Sequence, residues 1–418
     1  MSNPMIGCIA DDYTGGTDVA AAFRRQGLRT MLLFGQPDGM PDVDGYDALV
    51  VALKSRALDA GTAVNMALVA RDWLVSQAAV SIVYFKYCST FDSTPAGNIG
   101  PVTDALLDAA GDALTVVCPA SPEHGRTVYQ GHLFVHDQLL SDSSMRHHPL
   151  TPMRDSYLPR LMGAQTPHLV GAVTWQRVRA GSEAIRDELR AAAADSIRHV
   201  VLDALDEDDL TAVARAVDGM AVVTGAAGLA GALGRVIRVG TRGPDSSEPV
   251  PAPGGPAVIL AGSCSKATLG QVAYARERFA SWRLDPREVG HPGELLDPAA
   301  QWLTDHLGDA PVMLYSSAPA EERSEADPEI ATQLESIIGA LAKAAVAAGA
   351  GRVVVAGGET SGAVVDALDV RTVVVDAEAD RGVPWCSTRD HRLSLLLKSG
   401  NFGRPDLLVR AATSKTLS

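Results

Sequence analysis

The chain has 418 residues, with 36 Lys and Arg against 50 Asp and Glu, for a formal net charge of −14. Single hydrophobic cores stop growing at roughly 250–300 residues, so this length predicts at least two domains. A hydrophobic share of 46% beside 21% charged residues excludes a disordered chain, and the acidic balance excludes a nucleic-acid surface of clustered Lys and Arg.

The start, MSNPMIGCIADD, has no basic n-region and meets two aspartates after a short apolar stretch, so no signal peptide is expected. No apolar run is read as reaching the ~18 residues that span a bilayer, so no membrane partner is expected. Cys8, Cys88, Cys118, Cys264 and Cys386 form no CxxC pair, and an odd, scattered set is no disulfide framework. They read as small buried hydrophobes in a reducing compartment, which predicts a cytoplasmic protein.

In chain order, short β-branched runs fall at 5–10, 30–34, 48–53, 81–85, 114–118, 199–203 and 221–224. A Pro-, Gly- and Ser-rich stretch then covers 241–256 and reads as a linker and candidate hinge. Further runs follow at 257–262, 312–317, 352–357, 372–376 and 394–399. Ala-rich amphipathic stretches separate them throughout. Continuous apolar strands alternating with helices predict an α/β fold of two domains, 1–240 and 257–418, each a mainly parallel sheet flanked by helices. Ligands of such sheets sit at the carboxyl ends of the strands.

The first strand runs into Asp11-Asp12-Tyr13-Thr14-Gly15-Gly16-Thr17-Asp18. Paired carboxylates before Thr-Gly-Gly suit a turn that binds a hydroxyl or a metal, or simply caps the helix. The run ALVVAL leads to Arg56. The run SIVYF leads to Lys86, then Ser89, Asp92 and Asn98, a set suited to an acid group and to hydroxyls. LTVVC leads to His124 and Arg126. Arg56, Lys86 and Arg126 therefore read as cations gathered at one rim, as binding a small acid requires. His124 and His132 do not match an HExxH helix, and no metal-ligand set is assigned.

The second half carries three strand–glycine/hydroxyl–helix turns: Gly262-Ser263-Cys264-Ser265, Gly357-Gly358-Glu359-Thr360 and Lys398-Ser399-Gly400-Asn401-Phe402-Gly403. Exposed amides at helix starts favour phosphate without much basic charge. No GxxxxGK[ST] or GxGxxG motif is present, which counts against a Walker P-loop and a dinucleotide fold.

IADDYTGGTD, GSCSKAT, GGETSGAVVDAL and LKSGNFG together resemble the ordered signatures of the four-carbon acid sugar kinase family. FKYCSTFDSTPAGNIGPV and CPASPEHGRTVYQGHLFV are similar to its 3-oxo-tetronate kinase branch, whereas the erythronate and threonate branches carry Arg in place of Ala96. The resemblance implies phosphorylation of a terminal hydroxyl by ATP with Mg²⁺, in a cleft between a sugar-acid domain and a nucleotide domain. With it Asp12 is read as the base and Asp11 as orienting it or touching Mg²⁺, the reverse assignment staying open. Arg56, Lys86 and Arg126 would meet the substrate's acid group, and Ser89, Asp92 and Asn98 its hydroxyl and oxo groups. Ser263, Ser265, Gly357, Gly358, Glu359, Thr360, Gly400 and Gly403 would hold ATP. Alternatives are an erythronate or threonate kinase, an NAD(P)-dependent sugar-acid oxidoreductase and a sugar-acid sensor. A homo-oligomer is left open.

Overall fold

The computed structural model describes residues 6–39, 41–148, 151–238, 250–319, 322 and 328–417. The chain divides into two units, Met1–Asp245 and Ser246–Ser418.

In the first unit the strands are β1 (Ile6–Ala10), β2 (Thr30–Phe34), β3 (Ala48–Ala52), β4 (Ile82–Lys86), β5 (Thr115–Cys118), the hairpin strands β6 (Arg126–Tyr129), β7 (His132–Val135) and β8 (Gln138–Leu139), then β9 (Leu169–Val173), β10 (Ile197–Leu202) and β11 (Val222–Gly225). The helices are α1 (Tyr13–Arg25), α2 (Ala60–Ser76), α3 (Ile99–Ala110), α4 (Leu158–Gly163), α5 (Trp175–Arg179), α6 (Ser182–Ala194), α7 (Glu207–Ala216) and α8 (Ala227–Arg238). The main sheet runs in the order β2-β3-β1-β4-β11-β5-β10-β9, with every pairing parallel. Strands β1 to β4 are buried along their whole length, as expected where helices cover both faces.

Strand β1 continues through α1 to β2 on one side, whereas β4 continues through α3 to β5 on the other. The chain therefore reverses direction between β1 and β4. Open α/β sheets bind ligands at such switch points, beyond the carboxyl ends of the strands. Asp11 and Asp12 leave β1 there, and Lys86 closes β4 opposite Ala10.

The second unit contains β12 (Val250–Pro251), β13 (Ala257–Ala261), β14 (Ala280–Arg283), β15 (Val312–Tyr315), β16 (Arg352–Ala356), β17 (Thr372–Asp380), β18 (Val383–Ser387), β19 (Ser394–Lys398) and β20 (Thr416–Leu417). Its helices are α9 (Lys266–Arg276), α10 (Leu296–His306), α11 (Pro328–Ala347), α12 (Gly358–Ala367) and α13 (Leu407–Thr413). The order is β14-β15-β13-β16-β19-β18-β17, with β17-β18 and β18-β19 antiparallel and the other neighbours parallel. The core packs Ile259, Val354, Leu396 and Trp385 of the sheet against Val272, Leu408 and Ala411 of the helices. Strand β13 leads through α9 to β14, and β16 leads through α12 to β17 in the opposite direction. A second switch point thus lies between the turn after β13 and the turn after β16.

Several expectations change. Residues 241–249 of the linker and hinge reading lie outside the described residues. Val250 and Pro251 pair with Leu417 and Thr416, so the end of that stretch belongs to the second unit's structure. Strand β4 extends one residue further than read, so Lys86 is its last residue. The hairpin β6–β8 and strands β9, β14 and β18 are additional. β9 is partly exposed and β14 half-buried, and β18 contains Pro384, so the apolar runs used to read strands were weak there. Helix α11 is long and apolar enough to pass a membrane-span test over Glu329–Ala347, contrary to the sequence reading. It packs against α10 and α12, with 33% of the span buried.

Candidate functional sites at two strand switch points

At the first switch point, Asp12 caps α1: its Oδ1 accepts from Gly15 N at 2.9 Å and its Oδ2 from Thr14 Oγ1 at 2.7 Å. Because β3 lies beside β1, its exit loop passes over Asp11, whose carbonyl accepts from the amides of Ser55 and Arg56. The Arg56 guanidinium grips Asp11 with Nε (2.9 Å) and Nη2 (2.7 Å), and Nη2 also reaches Asp12 Oδ1 at 2.5 Å. Both Asp11 oxygens are taken by Arg56, whereas Asp12 keeps 21% of its side chain exposed and is the more accessible carboxylate.

Burial alone would raise the Asp12 carboxyl. The charges of Arg56 and Lys86, with the Thr14 and Gly15 hydrogen bonds, outweigh it and hold Asp12 below its ordinary value. Burial likewise opposes the charge on Lys86, but Asp18, Asp12 and Asp11 overcome it and raise its value. Lys86 is therefore a buried ammonium, 3% exposed, that makes no hydrogen bond or ion pair with any described residue. A lysine held charged in this way has all its donors available to a ligand.

Gly15 keeps this space open. A Cβ there would lie 2.2 Å from Asp12 Oδ1 and 2.8 Å from Lys86 Nζ, closer than atoms approach.

The other expected residues of this site fall into place differently. Arg56 was expected on the substrate's acid group; its Nε and Nη2 are taken by the two aspartates, which it holds in place. Asn98 was expected on a hydroxyl, but its Nδ2 donates to the carbonyls of Ser55 (2.8 Å), Arg56 (3.3 Å) and Leu58 (3.0 Å). It holds the loop that carries Arg56. Asp92 accepts from Thr90 Oγ1 at 2.6 Å. Ser89 is half-buried in the same turn. Arg126 opens β6, beyond β5, and its Nη1 donates to the His124 carbonyl. No contact among the described residues joins it to Arg56 or Lys86. His124 instead lies 3.6 Å from Asp18 of α1.

At the second switch point three turns converge because β13, β16 and β19 are neighbours. Ala356 O accepts from the amides of Gly262 and Ser263, and Lys398 O accepts from Gly357 N. Ser265 caps α9, accepting from Thr268 N at 3.2 Å and donating to Gly400 O at 2.5 Å. Ser263 Oγ accepts from Ser265 N at 3.2 Å. Gly357 caps α12 with φ +134°, where a Cβ would lie 2.7 Å from Thr360 Oγ1 and 3.1 Å from Ser263 N. Gly358, Glu359 and Thr360 form the first turn of α12, whose amides have no partner within the helix. The structure therefore brings Ser263, Ser265, the 357–360 turn and Gly400 together as an anion cradle.

Glu359 is exposed. Gly403 was expected on ATP, but it faces Leu407, and its carbonyl accepts from Gln271 Nε2 at 3.0 Å. Its place is in closing the turn. Lys398, which opens this turn in the sequence reading but was given no role, is fully buried beneath it and donates to Thr268 Oγ1 at 2.8 Å and Gly400 O at 2.9 Å.

Among the described residues no group of three His, Cys, Asp or Glu side chains could hold a metal ion. This donor set fits a Mg²⁺ brought in on phosphate oxygens, since Mg²⁺ keeps several waters and needs few protein ligands.

Comparison with known proteins assigns the two units separately. Residues 6–233 match the model of a sugar-binding N-terminal domain, and residues 258–408 that of a nucleotide-binding C-terminal domain. A 3-oxo-tetronate kinase of Burkholderia multivorans is 43% identical, over 98% of this chain and 97% of the relative. The chain belongs to the four-carbon acid sugar kinase family. A second relative, the 3-oxo-tetronate kinase of Cupriavidus necator, is 42% identical over 98% of this chain and 96% of its own. Among solved structures, a Salmonella typhimurium LT2 protein described as a tRNA synthase is 38% identical, with a TM-score of 0.87 over 98% of this chain and 99% of that one. The family resemblance read from the sequence motifs and the two-domain α/β fold class are both borne out.

Proposed function

We propose that this kinase transfers the γ-phosphoryl group of ATP to the C4 hydroxyl of 3-oxo-tetronate, giving 3-oxo-tetronate 4-phosphate. The observation that carries the reading is the pair of switch-point sites: an unpartnered buried ammonium beside an ionised carboxylate in one unit, and an amide-rich cradle in the other. The names of the full-length relatives supply the substrate class. A net charge of −14 does not favour a role on tRNA.

Phosphoryl transfer depends mainly on positioning and charge neutralisation. Lys86 binds the anionic group of the sugar acid. Asp12 accepts the proton of the C4 hydroxyl, and its low basicity suits a loose transition state in which the proton leaves late. Thr14, Gly15 and Arg56 hold Asp12 in one orientation, and Asp11 in turn anchors Arg56. Ser263, the Gly357–Thr360 turn and Gly400 hold the phosphates through amides and hydroxyls. Mg²⁺, when bound with the nucleotide, would add positive charge at the phosphates held by Ser263, the Gly357–Thr360 turn and Gly400. The five free cysteines agree with a reducing compartment, and we place the enzyme in the cytoplasm.

The test is ADP release over a panel of L- and D-3-oxo-tetronates, erythronates and threonates. A preference for a 3-oxo-tetronate is expected. Preference for an erythronate or threonate would move the chain to the sister activity, against which Ala96 already stands.

A further inference from the structure

The nucleotide-binding unit contains a buried lysine to which the chemistry above gives no task. Lys398 closes β19 and is 0% exposed. Its Nζ donates to Thr268 Oγ1 and to Gly400 O. The same Gly400 carbonyl accepts from Ser265 Oγ and from Thr268 Oγ1. Lys398 is thus stitched to the first turn of α9 and to the Gly400 turn, the two segments that frame Ser263.

No carboxylate among the described residues pairs with it. The titratable and charged groups on the surrounding elements are Cys264 in the turn before α9, Lys266, Tyr274 and Arg276 on α9, Glu359 and Asp366 on α12, Arg352 at the far end of β16, Cys386 on β18, Asp376 and Asp380 on β17, and Arg404, Asp406 and Arg410 by α13. None of them moves its titration. Burial alone does, pulling the amine down to about 7. A neutral amine has two N–H donors, which match the two acceptors present. The third N–H of an ammonium has no partner among the described residues. The two acceptors around Lys398 therefore match the neutral form, directly behind turns suited to polyphosphate.

We propose that Lys398 is the charge-compensating group of the nucleotide site: it takes up a proton when a nucleotide polyphosphate occupies the cradle, so nucleotide affinity is tied to proton uptake. This rests on the reading of these turns as the nucleotide site. A nearby polyanion favours the charged form and raises the amine's titration point in the complex. The gain in affinity is then fully present below the free value, near 7, and is lost as pH rises through the higher value of the complex. Deprotonation of the nucleotide itself, which adds negative charge as pH rises, acts in the opposite sense.

The test is calorimetric titration of the whole chain with ADP and excess Mg²⁺ at pH 8, in two buffers of different ionisation enthalpy. Wild type should take up about half a proton per ADP, and its affinity should fall severalfold from pH 7 to 8.5. Lys398→Met, which keeps the volume but cannot titrate, should bind ADP more weakly, with no such uptake and no such fall. Equal proton uptake in wild type and variant overturns the proposal. Should the variant fail to fold, as judged by circular dichroism, the wild-type profile decides, and an affinity that is flat or rising between pH 7 and 8.5 overturns it. Wild type that binds no ADP at all contradicts the nucleotide reading itself, a distinguishable failure.

Discussion

The Lys86 ammonium and the Asp12 carboxylate stand on either side of one small space, the space a Cβ on Gly15 would fill. Two opposite charges face it, yet no ion pair joins them. A ligand oxygen bound to either would lie beside the other. Gly15→Ala tests whether that space is the substrate site. Within a helix Ala is favoured over Gly by about 1 kcal/mol. Steady-state kinetics should nevertheless show a loss of kcat/KM of at least about tenfold, the scale of a misplaced reacting group. A variant with wild-type kinetics would remove this space from the active site.

Asp12→Asn separates chemistry from structure. Asn caps helices about as well as Asp, so α1 and the fold should persist. The variant should lose kcat by roughly 100- to 10,000-fold, the scale of a general base, while direct titration still shows sugar-acid binding. Near-normal turnover would remove Asp12 as the base.

Lys86→Met should act differently. Without the buried ammonium, KM for the sugar acid should rise by at least about tenfold, as loss of one charged contact implies. ATP affinity should be unchanged. A variant with unchanged KM for the acid would show that its anionic group binds elsewhere.

Arg56 is assigned to holding Asp11 and Asp12, so Arg56→Met should damage stability as well as rate. Removing one partner of a buried pair leaves a charge uncompensated, at a cost of about 3 kcal/mol, visible as a lower urea midpoint. Asp12 adds a pH signature. Its titration is depressed in the folded state, so its stabilisation is present above the ordinary value of 3.8 and is lost as pH falls through the lower folded value. In Arg56→Met the largest opposing charge is gone, and acid unfolding should begin at higher pH than in wild type.

Much of this was legible in the sequence because apolar runs mark parallel strands and because turns at strand ends carry the polar motifs. The placing of Asp12, Lys86, Ser263, Gly357 and Gly400 at the ends of parallel strands was read on those grounds. The occupation of Arg56 by Asp11 was not legible. It follows from β3 lying next to β1, a pairing between residues 45 positions apart in the chain. Lys398 escaped for the same reason: its partner Thr268 stands 130 residues away and meets it because β13, β16 and β19 are neighbours. Gly403 looked like the other turn glycines, and only Gln271 and Leu407 reveal that its surroundings are filled.

The nucleotide cradle depends on the left-handed backbone of Gly357, at φ +134°. Gly357→Ala places a Cβ against Thr360 Oγ1 in a conformation that L residues avoid. ADP affinity should fall by at least about tenfold, as expected when a cradle of aligned amides is distorted. Sugar-acid binding, read separately, should not change. Unaltered ADP binding would remove this turn from the nucleotide site.

The most direct measurement is the structure of the product. The chain is incubated with ATP, Mg²⁺ and a 3-oxo-tetronate, and the product is read by proton-coupled phosphorus NMR. The expected result is one new phosphate monoester signal coupled to the C4 methylene protons, formed in step with ADP. ATP left unconsumed with every 3-oxo-tetronate, or a phosphate coupled to the C2 proton, would contradict the assignment of this chain as a kinase of the C4 hydroxyl.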